Sequence, residues 1–221
     1  MPYPQDLVGK YINNTICSRG APASSLTNSF VNGVLPDQTD TVMTAVYADS
    51  PNRRQGIHSG INIVNTNIPW NFTFLKYCPG AVTTARLAGP VITGPMSGCY
   101  LCTYTQGGPK VAHIGTTETG DNDAVKTAWL AFVARPNVSM VKGGSPADYF
   151  DFAEILKVKL PNTPPPQIFG YFAGGSAYAI LMVSLPMNLN PPGLNLLQVA
   201  SVKTMTMQPW SSIAAMRRFR L

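Results

Sequence analysis

The chain has 221 residues and a formal net charge of +6, with 45% hydrophobic and only 12% charged residues. This composition excludes an intrinsically disordered protein, which combines low hydrophobicity with high charge, and no segment reaches the roughly 20 consecutive apolar residues of a membrane-spanning helix. The basic residues are scattered, apart from short clusters such as Arg53-Arg54, so the charge points only weakly to acidic partners. The length suits a single domain over residues 1–221.

Short β-prone segments dominate the chain, which 20 prolines and 19 glycines divide. Eight of these segments are rich in β-branched and aromatic residues, and several alternate apolar and polar residues with a period of two. We predict strands at 41–48, 56–64, 72–78, 99–105, 110–116, 168–172, 177–185 and 197–207.

Two helices are predicted among these strands. The first covers 121–134, where acidic and amide residues precede an apolar stripe that should lie on a sheet. The second covers 145–155, because Ser145 followed by Pro146 is typical of an N-cap and the first helical position. Residues 159–167 are rich in proline and are predicted to be irregular. The pattern favours an α+β fold with a β-rich, sandwich-like core of mixed sheets and a few flanking helices.

The segments on either side of Gly107-Gly108 are predicted to form a hairpin. One arm begins at Cys99 and the other carries His113, so this hairpin brings a thiol and an imidazole together. Such a pair is the minimum for thiol catalysis, in which histidine takes the thiol proton and the thiolate attacks a carbonyl. Symmetric pairing about the two glycines places His113 opposite Cys102. The pair then requires Cys99 to lie in the loop before the strand, or a bulge to shift the register.

Cys99 has other interpretations. A cysteine beside a strand is most often a small buried apolar residue. The spacing of Cys99 and Cys102 is C-x-x-C, but zinc requires a second pair of ligands, and no usual spacing exists among Cys17, Cys78, His58 and His113. A redox pair usually opens a helix rather than a strand. We therefore expect free thiols and no metal.

The stretch Thr93 to Cys99, TGPMSGC, resembles the T-x-x-L-S-G-C signature of the Burkholderia lethal factor and cytotoxic necrotizing factor family of glutamine deamidase toxins. Met96 stands where that signature has leucine. The similarity continues through the GGP of 107–109 to His113-Ile114, and it covers residues 93–114.

This resemblance implies a protein glutamine deamidase, a cysteine-dependent amidohydrolase with its catalytic cysteine and histidine on one hairpin. Cys99 would be the nucleophile, His113 the base, and Thr93 the residue whose oxygen orients the imidazole. Backbone N–H groups near Ser97 and Gly98 would hold the oxyanion. No metal or organic cofactor would be required.

The resemblance also implies a bacterial toxin or effector, expected to be monomeric. It would be produced in the bacterial cytoplasm without a recognisable signal peptide and would act in the cytosol of a host cell. Its partner would be a host protein that carries the target glutamine, such as a translation initiation helicase or a Rho-type GTPase, contacted by Arg53-Arg54 and Tyr100. The alternative is a non-enzymatic β-rich binding or structural protein in which Thr93, Cys99 and His113 only pack.

Overall fold

A computed structural model describes residues 4–13, 39–49, 63–116, 123–186, 190 and 194–211. These residues contain two α-helices, α1 (Asp123–Val133) and α2 (Phe152–Val158), and two 3-10 helices, Pro4–Leu7 and Pro146–Tyr149. They also contain twelve strands: β1 (Tyr11–Asn13), β2 (Thr39–Asp49), β3 (Ile63–Leu75), β4 (Val82–Arg86), β5 (Val91–Thr93), β6 (Tyr100–Thr105), β7 (Pro109–Ile114), β8 (Ser139–Gly144), β9 (Gln167–Ala173), β10 (Ser176–Ser184), β11 (Leu196–Met205) and β12 (Gln208–Pro209).

The strands form a closed barrel and a second sheet. The barrel order is β1-β11-β10-β9-β5-β3-β2, and it closes because β1 pairs with both β11 and β2. The second sheet has the order β12-β8-β6-β7-β4. The protein therefore has a mostly-β α+β fold with few helices, as the sequence predicted. Where the sequence predicted a sandwich-like core of mixed sheets, the first sheet curves and closes into a barrel, and the second sheet packs against it.

Most of the predicted elements are present. The six predicted strands at 41–48, 99–105, 110–116, 168–172, 177–185 and 197–207 correspond to β2, β6, β7, β9, β10 and β11, and 72–78 contains the end of β3. Of the predicted strand 56–64, only residues 63 and 64 are described, and they begin β3. The predicted helix at 121–134 corresponds to α1, and the proline-rich segment is irregular until β9 begins.

The second predicted helix is interrupted. Ser145 precedes a 3-10 turn without capping it through its side chain, and α2 begins only after Asp151. Asp151 and Glu154 form a reciprocal capping box, in which each side chain accepts a hydrogen bond from the other residue's backbone N–H. The stronger cap therefore lies six residues beyond the one that the sequence suggested.

The barrel and the second sheet share a buried apolar cluster. It combines Leu75, Phe172 and Leu181 of the barrel with Leu101 and Val111 of the sheet. The opposite face of the sheet packs against α1 in a second cluster. Each side of the sheet therefore faces a different part of the core.

Among the described residues, no helix is long and apolar enough to cross a membrane.

Gly115 should not tolerate a side chain. A Cβ at this position would overlap the carbonyl oxygen of Cys78 and lie 3.0 Å from that of Ala81, which also accepts the Gly115 N–H. Since these are backbone atoms held by hydrogen bonds, we expect Gly115→Ala to lower the free energy of unfolding by about 1–3 kcal/mol. The control is Gly89→Ala, because a Cβ on Gly89 meets nothing within 4 Å. Urea unfolding measures both variants, and equal stabilities would contradict the expected clash.

Candidate active site

The register of the β6–β7 hairpin differs by one residue from the predicted one. His113 pairs with Leu101, and Cys102 pairs with Ala112. The cause is the turn, which contains three residues instead of two. Gln106 N donates to Gly108 O at 3.0 Å, and the glycines Gly107 and Gly108 have φ values of 62° and 129° that other residues rarely adopt.

This shift places Cys99 and His113 on the same face of the sheet. Opposed residues in a strand pair share a face, and a slip of one residue moves a side chain to the other face. Cys99 lies two residues before Leu101, and both belong to the cluster between sheet and barrel, whereas Cys102 belongs to the cluster under α1. Cys99 directly precedes Tyr100, the first residue of β6 that pairs with β7, so it lies at the end of the ladder that carries His113.

Cys99 lies in the loop before β6, as the thiol–imidazole pair requires. This loop leaves the barrel at Thr93 and is held by Met96, whose backbone N–H donates to Ile168 O at 2.7 Å and whose side chain is buried. Methionine therefore meets the apolar requirement of the signature position where leucine was expected. Ser97 and Gly98 are exposed, and Cys99 is 3% exposed.

Thr93 and His113 are in direct contact. Thr93 Oγ1 lies 2.6 Å from His113 Nδ1, and both residues are buried. In the tautomer with a proton on Nδ1, the imidazole donates to the Thr93 hydroxyl and leaves Nε2 as a bare acceptor. The side chain of Thr93, not its backbone carbonyl, is therefore the group that can orient the ring. His113 Nε2 is buried and has no hydrogen-bond partner in the part of the chain that the structure describes.

The Cys99 thiol contacts Thr116 and does not form a hydrogen bond with His113. The Thr116 hydroxyl donates to Cys99 Sγ at 3.6 Å, and the thiol lies 3.9 Å from the Thr116 carbonyl oxygen, which can accept its proton. The imidazole and the thiol thus share a face of the sheet, where Thr93 contacts the imidazole and Thr116 contacts the thiol. A catalytic pair that is loose without substrate is common in enzymes.

Burial keeps both groups neutral. Burial raises the pKa of the Cys99 thiol, although hydrogen bonds from the Thr116 side chain and from the backbones of Thr116 and Gly98 act to lower it. Burial also lowers the pKa of His113 to about 3. The site therefore contains a neutral thiol and a neutral imidazole, not the ion pair of many thiol enzymes.

Sequence reasoning missed two residues of this site, Tyr77 and Thr116. The Tyr77 ring lies against the imidazole of His113, with ring centroids 5.3 Å apart and planes inclined by 31°. Its hydroxyl donates to Thr116 O at 2.7 Å. The position of Thr116, two residues after the end of β7, was an available signal, but nothing local connects Tyr77 to the hairpin.

The sequence also singled out Tyr100, Arg53-Arg54 and the remaining cysteine and histidine residues. Tyr100 is buried under α1 and cannot contact a partner, which corrects its predicted role in recognition. Arg53-Arg54, Cys17 and His58 lie outside the described residues. Cys99 and Cys102 are free thiols. Among the residues that the structure describes, no group of three His, Cys, Asp or Glu side chains could hold a metal ion.

A cleft of about 790 Å³ lies at the far end of the same hairpin. Thr103, Pro109 and Lys142 line it from the second sheet, and Phe172 and Met205 line it from the barrel. None of Thr93, Cys99 and His113 lines this cleft. The cleft is therefore separate from the contacts of these three residues.

Acid should destabilise the folded protein through His113. Its pKa is about 3 in the folded chain and about 6.5 when exposed. Because the unfolded chain binds the additional proton, the stability that His113 contributes is fully present above pH 6.5 and is lost as the pH falls toward 3. As the pH falls through this range, we expect the free energy of unfolding of His113→Gln to decrease less steeply than that of the wild type. The two slopes should differ by about 1.4 kcal/mol per pH unit. Parallel urea unfolding across this range measures the difference, and identical slopes would contradict it.

No family model matches the chain, and no protein with a curated description matches its sequence. The resemblance to deamidase toxins therefore rests on the motif residues between Thr93 and Ile114.

Proposed function

We propose that the protein is a thiol-dependent deamidase that converts a glutamine side chain of another protein to glutamate. One observation carries the proposal: Thr93 Oγ1 lies 2.6 Å from His113 Nδ1, and the buried Nε2 of this ring has no hydrogen-bond partner among the described residues. A buried polar atom without a partner costs about 1–3 kcal/mol, so a native site that contains one calls for an explanation. A proton acceptor for a nearby thiol provides that explanation.

In the first half of the reaction, Cys99 transfers its S–H proton to His113 Nε2 and the sulfur attacks the carbonyl carbon of the glutamine amide. The C–S bond forms as the carbonyl oxygen takes the negative charge, which backbone N–H groups at Ser97 to Cys99 stabilise. The imidazolium then returns its proton to the amide nitrogen. Ammonia leaves, and a thioester remains on Cys99.

In the second half, His113 Nε2 takes a proton from water, and the resulting hydroxide attacks the thioester carbonyl. The C–S bond breaks, and the sulfur recovers a proton from the imidazolium. The products are glutamate and ammonia, with no change of oxidation state. His113 serves as the base and then as the acid in each half, which requires the fixed ring orientation that Thr93 supplies.

The burial of the site suits a neutral resting state. Because the pKa of Cys99 is raised and that of His113 is lowered, no charge separates until an electrophile arrives. Ser97 and Gly98 are exposed directly before Cys99, so the substrate amide would approach from this side. By resemblance, the substrate is a host protein and the enzyme a bacterial toxin or effector that acts in the host cytosol.

The burial of Thr93, Cys99 and His113 also fits the alternative, a non-enzymatic protein. Thr93, Cys99 and His113 could stabilise the contact between barrel and sheet without any reaction. The two readings differ in their dependence on sulfur, because a structural thiol can be replaced by a hydroxyl of similar size, whereas a nucleophilic thiol cannot.

Cys99→Ser should abolish deamidation and leave the fold intact. The serine hydroxyl is a much weaker nucleophile beside this neutral imidazole. The experiment incubates wild type and variant with lysate of a susceptible cell and identifies, by mass spectrometry, glutamines that become glutamate. Cys102→Ala is the control, because Cys102 is buried on the opposite face of the sheet. A Cys99→Ser protein that deamidates like the wild type would overturn the mechanism. No wild-type conversion in lysates of several hosts would favour the alternative.

Thr93→Val should lower kcat by about tenfold to hundredfold, because it removes the hydroxyl that orients the imidazole without a large change in volume. Thr93→Ser keeps the hydroxyl and should retain most of the activity. Thermal unfolding of both variants separates lost orientation from lost stability. Equal activity of the valine and serine variants would remove Thr93 from the site.

A further inference from the structure

Thr116 presents a hydrogen-bond donor to the Cys99 sulfur. Its hydroxyl lies 3.6 Å from Cys99 Sγ and donates to it. The Thr116 side chain, the Thr116 backbone and the Gly98 backbone each act to lower the pKa of the thiol, which burial raises. Because a bond donated to sulfur favours the thiolate over the thiol, the Thr116 hydroxyl is placed to stabilise a negative charge on this buried atom.

The segment from Tyr77 to Ala81 fixes the position of Thr116. Gly80 N donates to Gly115 O and Gly115 N donates to Ala81 O, each at 2.8 Å. The Tyr77 hydroxyl donates to Thr116 O at 2.7 Å. The absence of a Cβ on Gly115 allows the two segments to approach this closely. Hydrogen bonds therefore hold Gly115, which precedes Thr116, and the carbonyl group of Thr116 itself.

Tyr77 also contacts the other half of the pair. Its ring packs against His113 with a centroid distance of 5.3 Å. One residue therefore touches the proton acceptor with its ring and the segment that faces the sulfur with its hydroxyl. This arrangement links the placement of His113 to the placement of Thr116.

We infer that Thr116 forms a thiolate cradle for Cys99, in which its hydroxyl donates a hydrogen bond to the sulfur, and that Tyr77 is a positioning residue that holds this cradle beside His113. The inference rests on the proposed thiol chemistry. When the S–H bond breaks and the proton moves to His113 Nε2, the electron pair stays on sulfur, and the cradle supplies a hydrogen bond to the new negative charge. In a buried site, hydrogen bonds replace the water that would otherwise solvate it.

No charged side chain contributes to the shift of the Cys99 pKa. His113 on β7, against which the Tyr77 ring packs, is neutral around pH 7 because burial lowers its pKa to about 3. A change in the titration of Cys99 on substitution of Thr116 would therefore report the lost hydrogen bond and not a lost charge.

The test measures alkylation of Cys99 by iodoacetamide, read at each cysteine by peptide mass spectrometry, across the pH range in which thiols titrate. In Thr116→Val, the midpoint for Cys99 should rise by about one pH unit, and the rate at neutral pH should fall about tenfold. Thr116→Ser keeps the hydroxyl and should restore the wild-type midpoint. Thr105→Val carries the same substitution at the tip of the hairpin and should match the wild type. A wild-type midpoint in Thr116→Val would overturn the cradle.

A second variant, Tyr77→Phe, tests the inference if Thr116→Val does not fold. If Thr116→Val unfolds, Cys102 becomes as reactive as Cys99, because Cys102 loses its cover by α1. Tyr77→Phe keeps the ring against His113 and removes only the hydrogen bond to Thr116 O. We expect the pH midpoint of Cys99 alkylation to rise in this variant. An unchanged midpoint in Tyr77→Phe would overturn the inference. No substrate protein is added in this assay, so its failure leaves the lysate result for Cys99→Ser untouched.

Discussion

The close approach of the second sheet to the barrel at Gly170 is the constraint on which the site depends. A Cβ on Gly170 would overlap Leu101 Cδ1 and lie 3.3 Å from the Pro146 ring. Gly170 pairs with Thr93 in the barrel, and Leu101 pairs with His113 in the sheet. The Thr93–Gly170 pair of the barrel therefore packs against the Leu101–His113 pair of the second sheet. Because the bare backbone of Gly170 lets them approach, the Thr93 hydroxyl reaches the His113 ring.

The two faces of the second sheet have different chemistry. Toward α1, Tyr104 meets an aromatic cluster in which Trp129 and Phe132 stack with centroids 5.4 Å apart. Toward the barrel, the apolar cluster is interrupted by the polar group of Thr93, Cys99 and His113. Polar side chains in such a place are retained at a cost in stability, since each must exchange water for a protein partner. The unpartnered Nε2 of His113 shows where this exchange is incomplete, and that is the atom to which the proposed reaction assigns a proton.

Burial has opposite consequences for the two reactive groups, and together they define the resting state. It raises the pKa of Cys99 and lowers that of His113, so both groups are uncharged at neutral pH. An ion pair would have to form within the site, where Coulomb attraction is stronger than in water but desolvation opposes both charges. Hydrogen bonds from Thr116 and Gly98 offset part of this desolvation on sulfur. The surroundings of Cys99 therefore matter as much as its distance from His113.

The sequence by itself determined the β-rich character, the two helical regions, and the presence of Cys99 and His113 on one hairpin, because alternation and turn residues are local signals. It did not determine the pairing. The three-residue turn placed His113 opposite Leu101, and this single step moved Cys99 to the face of His113. The short strands β1, β4, β5, β8 and β12 were missed. In β8, two glycines and Met140 with φ of 52° oppose a strand, and only tertiary pairing stabilises it. Tyr77, Thr116 and both pKa shifts also depend on packing between distant segments. Burial is a property of what surrounds a residue, and only the tertiary structure decides that.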